Sequence, residues 1–414
     1  METRVVEDTN DYLRKNKFLL EFREFFIAMK CLGWLPWGST IRRVDGQPRL
    51  VAPTWAKIYC LSSLSFVSVT NAMLMVQAAK AVLKMPEHVQ FFGFLYVATS
   101  TFTNFIPLLT FSQRGPRRWF MFEMYEMQKE LERCSLTGGL ERINFRGHNR
   151  LALAYCLLAS VTFLLVRGVV GVPDLWRALG SFNEGIVIYW LVFSALFMKK
   201  LSSVILDEYT LLLELGESGK GTEHLIQGVL TYRKLWLQLL AKVRFAGNVI
   251  SMCVGTSLIV NFGRAIFAFF YILRTPNPQM LSATVPMFLI SASVVTVLCQ
   301  FSHGVKQKIF DDVMKAIEVT KMMRIPKAEK IATIRYFSRI SKISPPITFN
   351  FYLDCDRKLL SMMIVAVIAN SIILVQMNVS SEAIETEDFK LVGKLLSAHL
   401  DSWFYQLIPK MFTK

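Results

Sequence analysis

Apolar positions in this chain gather into long unbroken runs. Seven runs with few charges fall near 55–79, 89–112, 151–172, 184–206, 246–272, 283–305 and 359–377. About 20 such residues carry a helix across roughly 30 Å of hydrocarbon, so each run is predicted as a membrane span. Between the runs the pattern changes to helical periodicity. Leu211, Leu212 and Leu215 form one stripe, and Leu225, Val229, Tyr232, Trp236 and Leu239 form another, separated by a break at Gly216–Gly221. Spans four and five are therefore expected to run on as helices beyond the bilayer. Residues 306–322 and 327–343 read the same way, with Pro345-Pro346 ending the second. Such helices must bury their stripes against each other or a neighbouring subunit.

Composition explains where the charge lies. Of 414 residues, 53% are hydrophobic and only 19% charged, yet 47 Lys and Arg against 31 Asp and Glu leave a net charge of +16. Disorder and collagen-like or disulfide-scaffold classes are excluded by this composition. Sorted by connection, 36 of the 47 basic residues fall before span one or in the links two–three, four–five and six–seven, against 9 on the opposite side. Basic residues concentrate on the cytoplasmic side of short loops, which predicts a cytoplasmic amino terminus and an outer carboxyl terminus. This is the reverse of a G-protein-coupled receptor. The single sequon, Asn378-Val379-Ser380, falls outside in this topology and marks Asn378 as a glycosylation candidate. The basic runs Arg114, Arg117, Arg118 and Lys327, Lys330, Arg335, Arg339 lie beside spans, where anionic lipid heads are the expected contact and nucleic acid is not.

The fold class expected is thus an all-α membrane protein of seven inverted helices at the plasma membrane. Its divisions are a cytoplasmic segment 1–53, spans one to six with their connections over 54–305, a cytoplasmic helical region 306–357, span seven at 358–377, and an outer amphipathic tail 378–414. No metalloprotease, nucleophile-elbow, paired-cysteine or dinucleotide motif occurs, and the five histidines are scattered. No enzyme activity, metal or cofactor is expected.

Three stretches are similar to the insect gustatory receptor family, a branch of the insect chemoreceptor superfamily. Met29-Lys-Cys-Leu32-Gly33-Trp34-Leu35-Pro36-Trp37 resembles the Leu-Gly-x-x-Pro element before span one. Asp356-Arg357-Lys358-Leu359-Leu360 resembles the charged step into span seven, and Ala369-Asn370-Ser371-Ile372-Ile373-Leu374-Val375-Gln376-Met377 aligns with the Thr-Tyr, five apolar residues, Gln-Phe signature. Thr-Tyr is replaced here by Ala369-Asn370 and the final Phe by Met377. The chain also runs 37 residues past Met377, where family members usually stop soon after. The resemblance implies a ligand-gated, non-selective cation channel subunit, homo- or hetero-tetrameric with related subunits, that needs no G protein. The altered signature and the long tail keep a second reading open, a divergent member of the same fold without channel activity that has a binding, partner-subunit or scaffolding role.

On that implication span seven lines the pore. Helical spacing puts Ala366, Asn370, Ile373 and Met377 near one face with Gln376 adjacent. Apolar rings can close a narrow pore by dewetting, and amides can hydrate an ion when it widens. Interhelical hydrogen bonding by Asn370 and Gln376 is the plain alternative. The resemblance places a small-molecule pocket among spans two to six in the outer half of the membrane, with candidates Phe92, Tyr96, Arg167, Glu184, Tyr189, Trp190, Phe267, Phe270, Tyr271 and Phe288. Aromatic rings supply stacking area there, while Arg167, Glu184 and Arg264 are costly in hydrocarbon and need partners. An Arg167–Glu184 pair across the turn between spans three and four is one way to provide them.

Overall fold

A computed structural model describes residues 16–33, 41–44, 47–50, 53–83, 114–166, 172–217, 222–274, 278–322, 325–343, 348–349, 353–354 and 356–383. It is built on three very long helices: α6 (Val172–Glu217), α7 (Thr222–Arg274) and α8 (Pro278–Met322). At 1.5 Å per residue these reach about 70–80 Å, more than twice the hydrocarbon thickness. Around them stand α1 (Lys17–Glu21), α2 (Arg23–Cys31), α3 (Thr54–Val82), α4 (Arg114–Cys134), α5 (Arg146–Val166), α9 (Lys327–Ile343) and α10 (Arg357–Ala383). Two small antiparallel hairpins, β1 (Ile41–Val44) with β2 (Gln47–Leu50) and β3 (Thr348–Phe349) with β4 (Leu353–Asp354), precede α3 and α10.

Among the described residues, four helical stretches are long and apolar enough to cross a membrane: Glu184–Leu215, Val254–Leu273, Thr284–Met322 and Arg357–Gln376. They fall on predicted spans four to seven. Predicted span two and the tail beyond 383 lie outside the described residues. The α6–α7 break and the bounds of α9 match the periodicity, and α8 joins span six to its extension without interruption.

Where α6, α7, α8 and α9 meet, aromatic and polar contacts interlock. Tyr209 meets the Tyr232 and Phe337 rings edge-on at 5.9 and 5.7 Å, and its hydroxyl shares a 2.8 Å hydrogen bond with Thr320. Tyr336 donates to the Arg233 carbonyl at 2.7 Å while the Arg233 guanidinium lies 4.3 Å from its ring centre. The stripe Leu225, Val229, Tyr232, Trp236, Leu239 is buried throughout. On α6 the expected stripe is displaced: Leu201, Ile205, Tyr209 and Leu213 are the buried positions, and Leu215 is exposed. The i, i+4 row already facing α7 and α8 higher on the helix simply continues, and it overrides the local leucine cluster. The α4–α5 connection is held to α6 by Glu208, which accepts from Ser135 Oγ at 2.9 Å, from Leu136 N at 2.7 Å and from Thr137 Oγ1. Lower on α4, Lys234 and Gln238 each donate to Glu130 at 2.7 Å, which holds its carboxyl below the usual range.

The Leu32-Gly33 element has a local explanation. Gly33 ends α2 with φ +76°, Ser63 Oγ of α3 donates to the Leu32 carbonyl at 2.9 Å, and Tyr59 donates to the Cys31 carbonyl. A β-carbon on Gly33 would stand 2.6 Å from Ser63 Cβ. Left-handed backbone costs a residue with a β-carbon about 1–2 kcal/mol, and the collision adds to it. Gly33→Ala is therefore expected to lower the thermal unfolding temperature of the purified chain, whereas Lys30→Ala, one turn earlier and without such contacts at its backbone, leaves it nearly unchanged.

Candidate functional site

Span seven shows how the chain positions its candidate pore residues. Asp356 caps α10, accepting from Leu359 N at 2.9 Å, and Arg357 Nε donates to Gln300 Oε1 of α8 at 3.2 Å. The charged step before the span is thus a helix cap plus a tether. From there α10 buries Leu359, Val367 and Ser371 and leaves Met362, Val365, Ile368, Ile372 and Ile373 exposed. Asn370 and Gln376 are exposed as well, and Asn370 Nδ2 bonds back to the Ala366 carbonyl of its own helix at 2.7 Å. Met377 and Asn378 belong to α10, but their side chains lie outside the described residues. Ser371, fully buried, donates from Oγ to the Ile266 carbonyl of α7 at 3.2 Å.

A second polar group forms between α6 and α7. Glu184, 6% exposed, accepts from Ser257 Oγ at 3.0 Å and from Asn261 Nδ2 on one oxygen, and from Arg264 Nη1 at 3.1 Å on the other. Ser257, Asn261 and Arg264 are spaced i, i+4, i+7, so one face of α7 delivers all three to the carboxylate. Asn261 Oδ1 is buried with no hydrogen-bond partner among the described residues. The partner of Glu184 is thus Arg264, across the helix pair. Arg167 lies outside the described residues, as do Phe92 and Tyr96.

Tyr189 and Trp190 have a different setting from the remaining aromatic candidates. The Tyr189 ring stacks on Phe25 at 4.0 Å, its hydroxyl donates to Asn149 Oδ1, and Trp190 meets Phe22 edge-on at 4.9 Å. Phe18 adds contacts to Phe193 and Phe197 at 5.2 and 5.1 Å. Both candidates are enclosed by the amino-terminal helices of the same chain. Glu21, also buried, fastens those helices by accepting from Phe145 N, with Lys17 Nζ 3.4 Å away. The role of α1 and α2 is missed by the sequence reading, although Phe18, Phe22, Phe25 and Met29 at i, i+4, i+7, i+11 carry the signal. Phe267 and Tyr271 pack at 4.7 Å, Phe270 and Tyr271 at 5.5 Å, and Phe288 lies 5.3 Å from Phe269, which gathers these four candidates at one end of the α7–α8 pair.

A polar cavity of 390 Å³ between α4 and α7 is lined by Glu123, Glu130, Lys234 and Lys242 among others. Four of its charges pair across it, Lys234 with Glu130 and Lys242 with Glu123. Among the described residues no cluster of His, Cys, Asp or Glu is arranged to hold a metal ion.

The fold is shared with an insect olfactory receptor. The structure of the insect olfactory receptor OR5 from Machilis hrabei in complex with eugenol superposes with a TM-score of 0.57 at 10% identity, over 89% of this chain and all 100% of that one. A second structure of the same receptor gives 0.55 at 8% identity, with the same coverage of 89% and 100%. No family model and no curated protein matches the sequence. The resemblance noted in the sequence thus implied the right fold, an all-α membrane fold of the insect receptor type.

Breaking one member of a buried ion pair strands a charge in a low-dielectric site, which costs about 3–5 kcal/mol, while replacing both by apolar groups costs far less. Arg264→Leu is expected to destabilise the purified chain strongly in thermal unfolding. Glu184→Leu combined with Arg264→Leu should recover much of that loss.

Proposed function

We propose that the chain is a chemosensory receptor subunit of the insect gustatory type, acting as a ligand-gated, non-selective cation channel. The carrying observation is α10. Its window Arg357–Gln376 is the most apolar of the four candidate spans and the least enclosed, with 17% buried against 59% for the window on α6. Lipid satisfies the apolar part of that exposed surface. Asn370 and Gln376 lie on the same exposed surface, where a central pore lined by α10 would bring their amides next to a permeating ion.

In this reading four subunits surround one axis in the plasma membrane, each with seven spans, a cytoplasmic amino terminus and an outer carboxyl terminus. Ile373 and Met377 form the apolar constriction, and Asn370 and Gln376 hydrate the permeating ion. The small-molecule ligand contacts Phe267, Phe270, Tyr271 and Phe288 together with Phe92, Tyr96 and Arg167. The olfactory receptor of the same fold is described in complex with eugenol, which supports a small-molecule ligand of this general size.

Reconstituted in planar bilayers, the chain is expected to pass Na⁺ and K⁺ alike. Gln376→Lys should cut the unitary cation current several-fold and Gln376→Glu raise it. A current indifferent to both substitutions would remove α10 from the pore. Glycan mapping tests sidedness: Asn378 is expected to be occupied in cells, with the glycan lost in Asn378→Gln.

A further inference from the structure

Contacts between helices fix how deep each residue lies relative to its neighbours. Arg357 begins the α10 window, and Ser371 meets Ile266 fourteen residues later, about 21 Å along the helix. Ile266 on α7 is therefore level with Ser371. Glu184 joins α7 at Asn261, about 8 Å before Ile266 along the helix, and so lies about 13 Å beyond the level of Arg357.

The third span agrees independently. A β-carbon on Gly185 would stand 3.0 Å from Cys156 Sγ, and Tyr189 reaches Asn149, just before the apolar run of α5 opens at Leu151. Glu184 therefore lies beside the half of that run nearest its start. Further along α6 the registers stay in step, as Ser202 Oγ donates to Asp312 at 2.6 Å and Tyr209 meets Thr320.

Glu184 accordingly sits in the cytoplasmic half of the bilayer, away from the outer aromatic cluster. Ser257 and Ile266 are nine residues apart, which is 900°, or half a turn, around α7. The helix thus offers one side to Glu184 and the opposite side to Ser371. We propose that the Glu184–Ser257–Asn261–Arg264 cluster and Ser371 are positioning residues for gating, with α7 as the lever between them. A rotation or slide of α7 that rearranges the bonds to Glu184 carries the Ile266 carbonyl with it. Ser371 then moves Asn370 and Ile373, its neighbours on α10. The proposal rests on the reading of α10 as a pore helix.

The test uses the full chain in lipid nanodiscs without added ligand, followed by hydrogen exchange of the amides at 366–376. Ser371→Ala is expected to speed exchange there about 3-fold, the factor set by losing one interhelical hydrogen bond in a membrane. Glu184→Gln should do the same from the far side of α7, and the double variant should exceed neither single one by more than measurement error. If Glu184→Gln fails to fold, Asn261→Leu takes its place, because it leaves the Glu184–Arg264 pair intact. In bilayer recordings both single variants should shift the unliganded open fraction without altering unitary conductance. Exchange in α10 that ignores the α6 or α7 substitution, or effects that simply multiply in the double variant, would overturn the coupling. A changed unitary conductance in Ser371→Ala would also overturn it, since Ser371 would then line the pore. Non-multiplying exchange effects in a chain that passes no current would retain the coupling and dismiss the channel.

Discussion

The dominant constraint is a mismatch of lengths. Three continuous helices of 46, 53 and 45 residues cannot be contained in a bilayer core that a helix of about 20 residues crosses. The excess has to leave the membrane as helix, and in water its apolar rows are tolerable only when covered. α6, α7 and α8 cover one another, α9 closes the group through Phe337 and Ile340, and the bundle needs no separate core of its own. Because no loop interrupts the helices at the membrane surface, a displacement inside the bilayer is carried along a rod into the bundle. Soft joints at that boundary would absorb it.

Polar chemistry inside the apolar region follows a related rule. A carboxylate in hydrocarbon requires compensation from every available lone-pair direction. Glu184 receives a hydroxyl, an amide and a guanidinium, all from α7. That concentration on one partner helix ties α6 and α7 together more specifically than leucine packing would, since a slip of one residue rotates all three donors away. By contrast, α10 buries few of its side chains and is held at Gln300 and Ile266 by single hydrogen bonds. The least enclosed helix is thus attached to the most firmly registered pair.

What was legible in the sequence depended on whether one environment or two acted on a stretch. Along α9 and at the Glu217–Thr222 break only water and the bundle compete, so periodicity and glycine punctuation located the boundaries. On α10 the charged step Asp356-Arg357 marks the helix start, and the apolar run 359–377 lies within the helix. On α6 lipid and protein core both demand apolar residues. Hydropathy cannot tell Trp190 against Phe22 from a leucine against an acyl chain, so the run located the helix and left its neighbours undetermined. Arg264 illustrates the same limit for charge. Its need for a partner was evident, but which of several acids supplied it depended on a register between helices that no local pattern encodes.

The amino-terminal helices show how such a register is enforced. Phe18, Phe22 and Phe25 occupy successive turns and stack along Tyr189, Trp190, Phe193 and Phe197 of α6. Glu21 meanwhile holds the start of α5 by its backbone. Aromatic rings at this spacing have few alternative alignments, because a slide by one turn would set Glu21 against phenylalanine and leave the Phe145 amide unsatisfied. A short segment before the first span therefore locks α5 against α6 at the depth where Tyr189 meets Asn149. With α5 and α6 fixed at that level and α6 joined to α8 through Ser202 and Asp312, α7 is held to α6 by the bonds to Glu184, and to α4 and α9 by Glu130, Glu123 and Tyr336. Of these attachments, the bonds to Glu184 lie nearest along α7 to Ile266, where Ser371 joins α10.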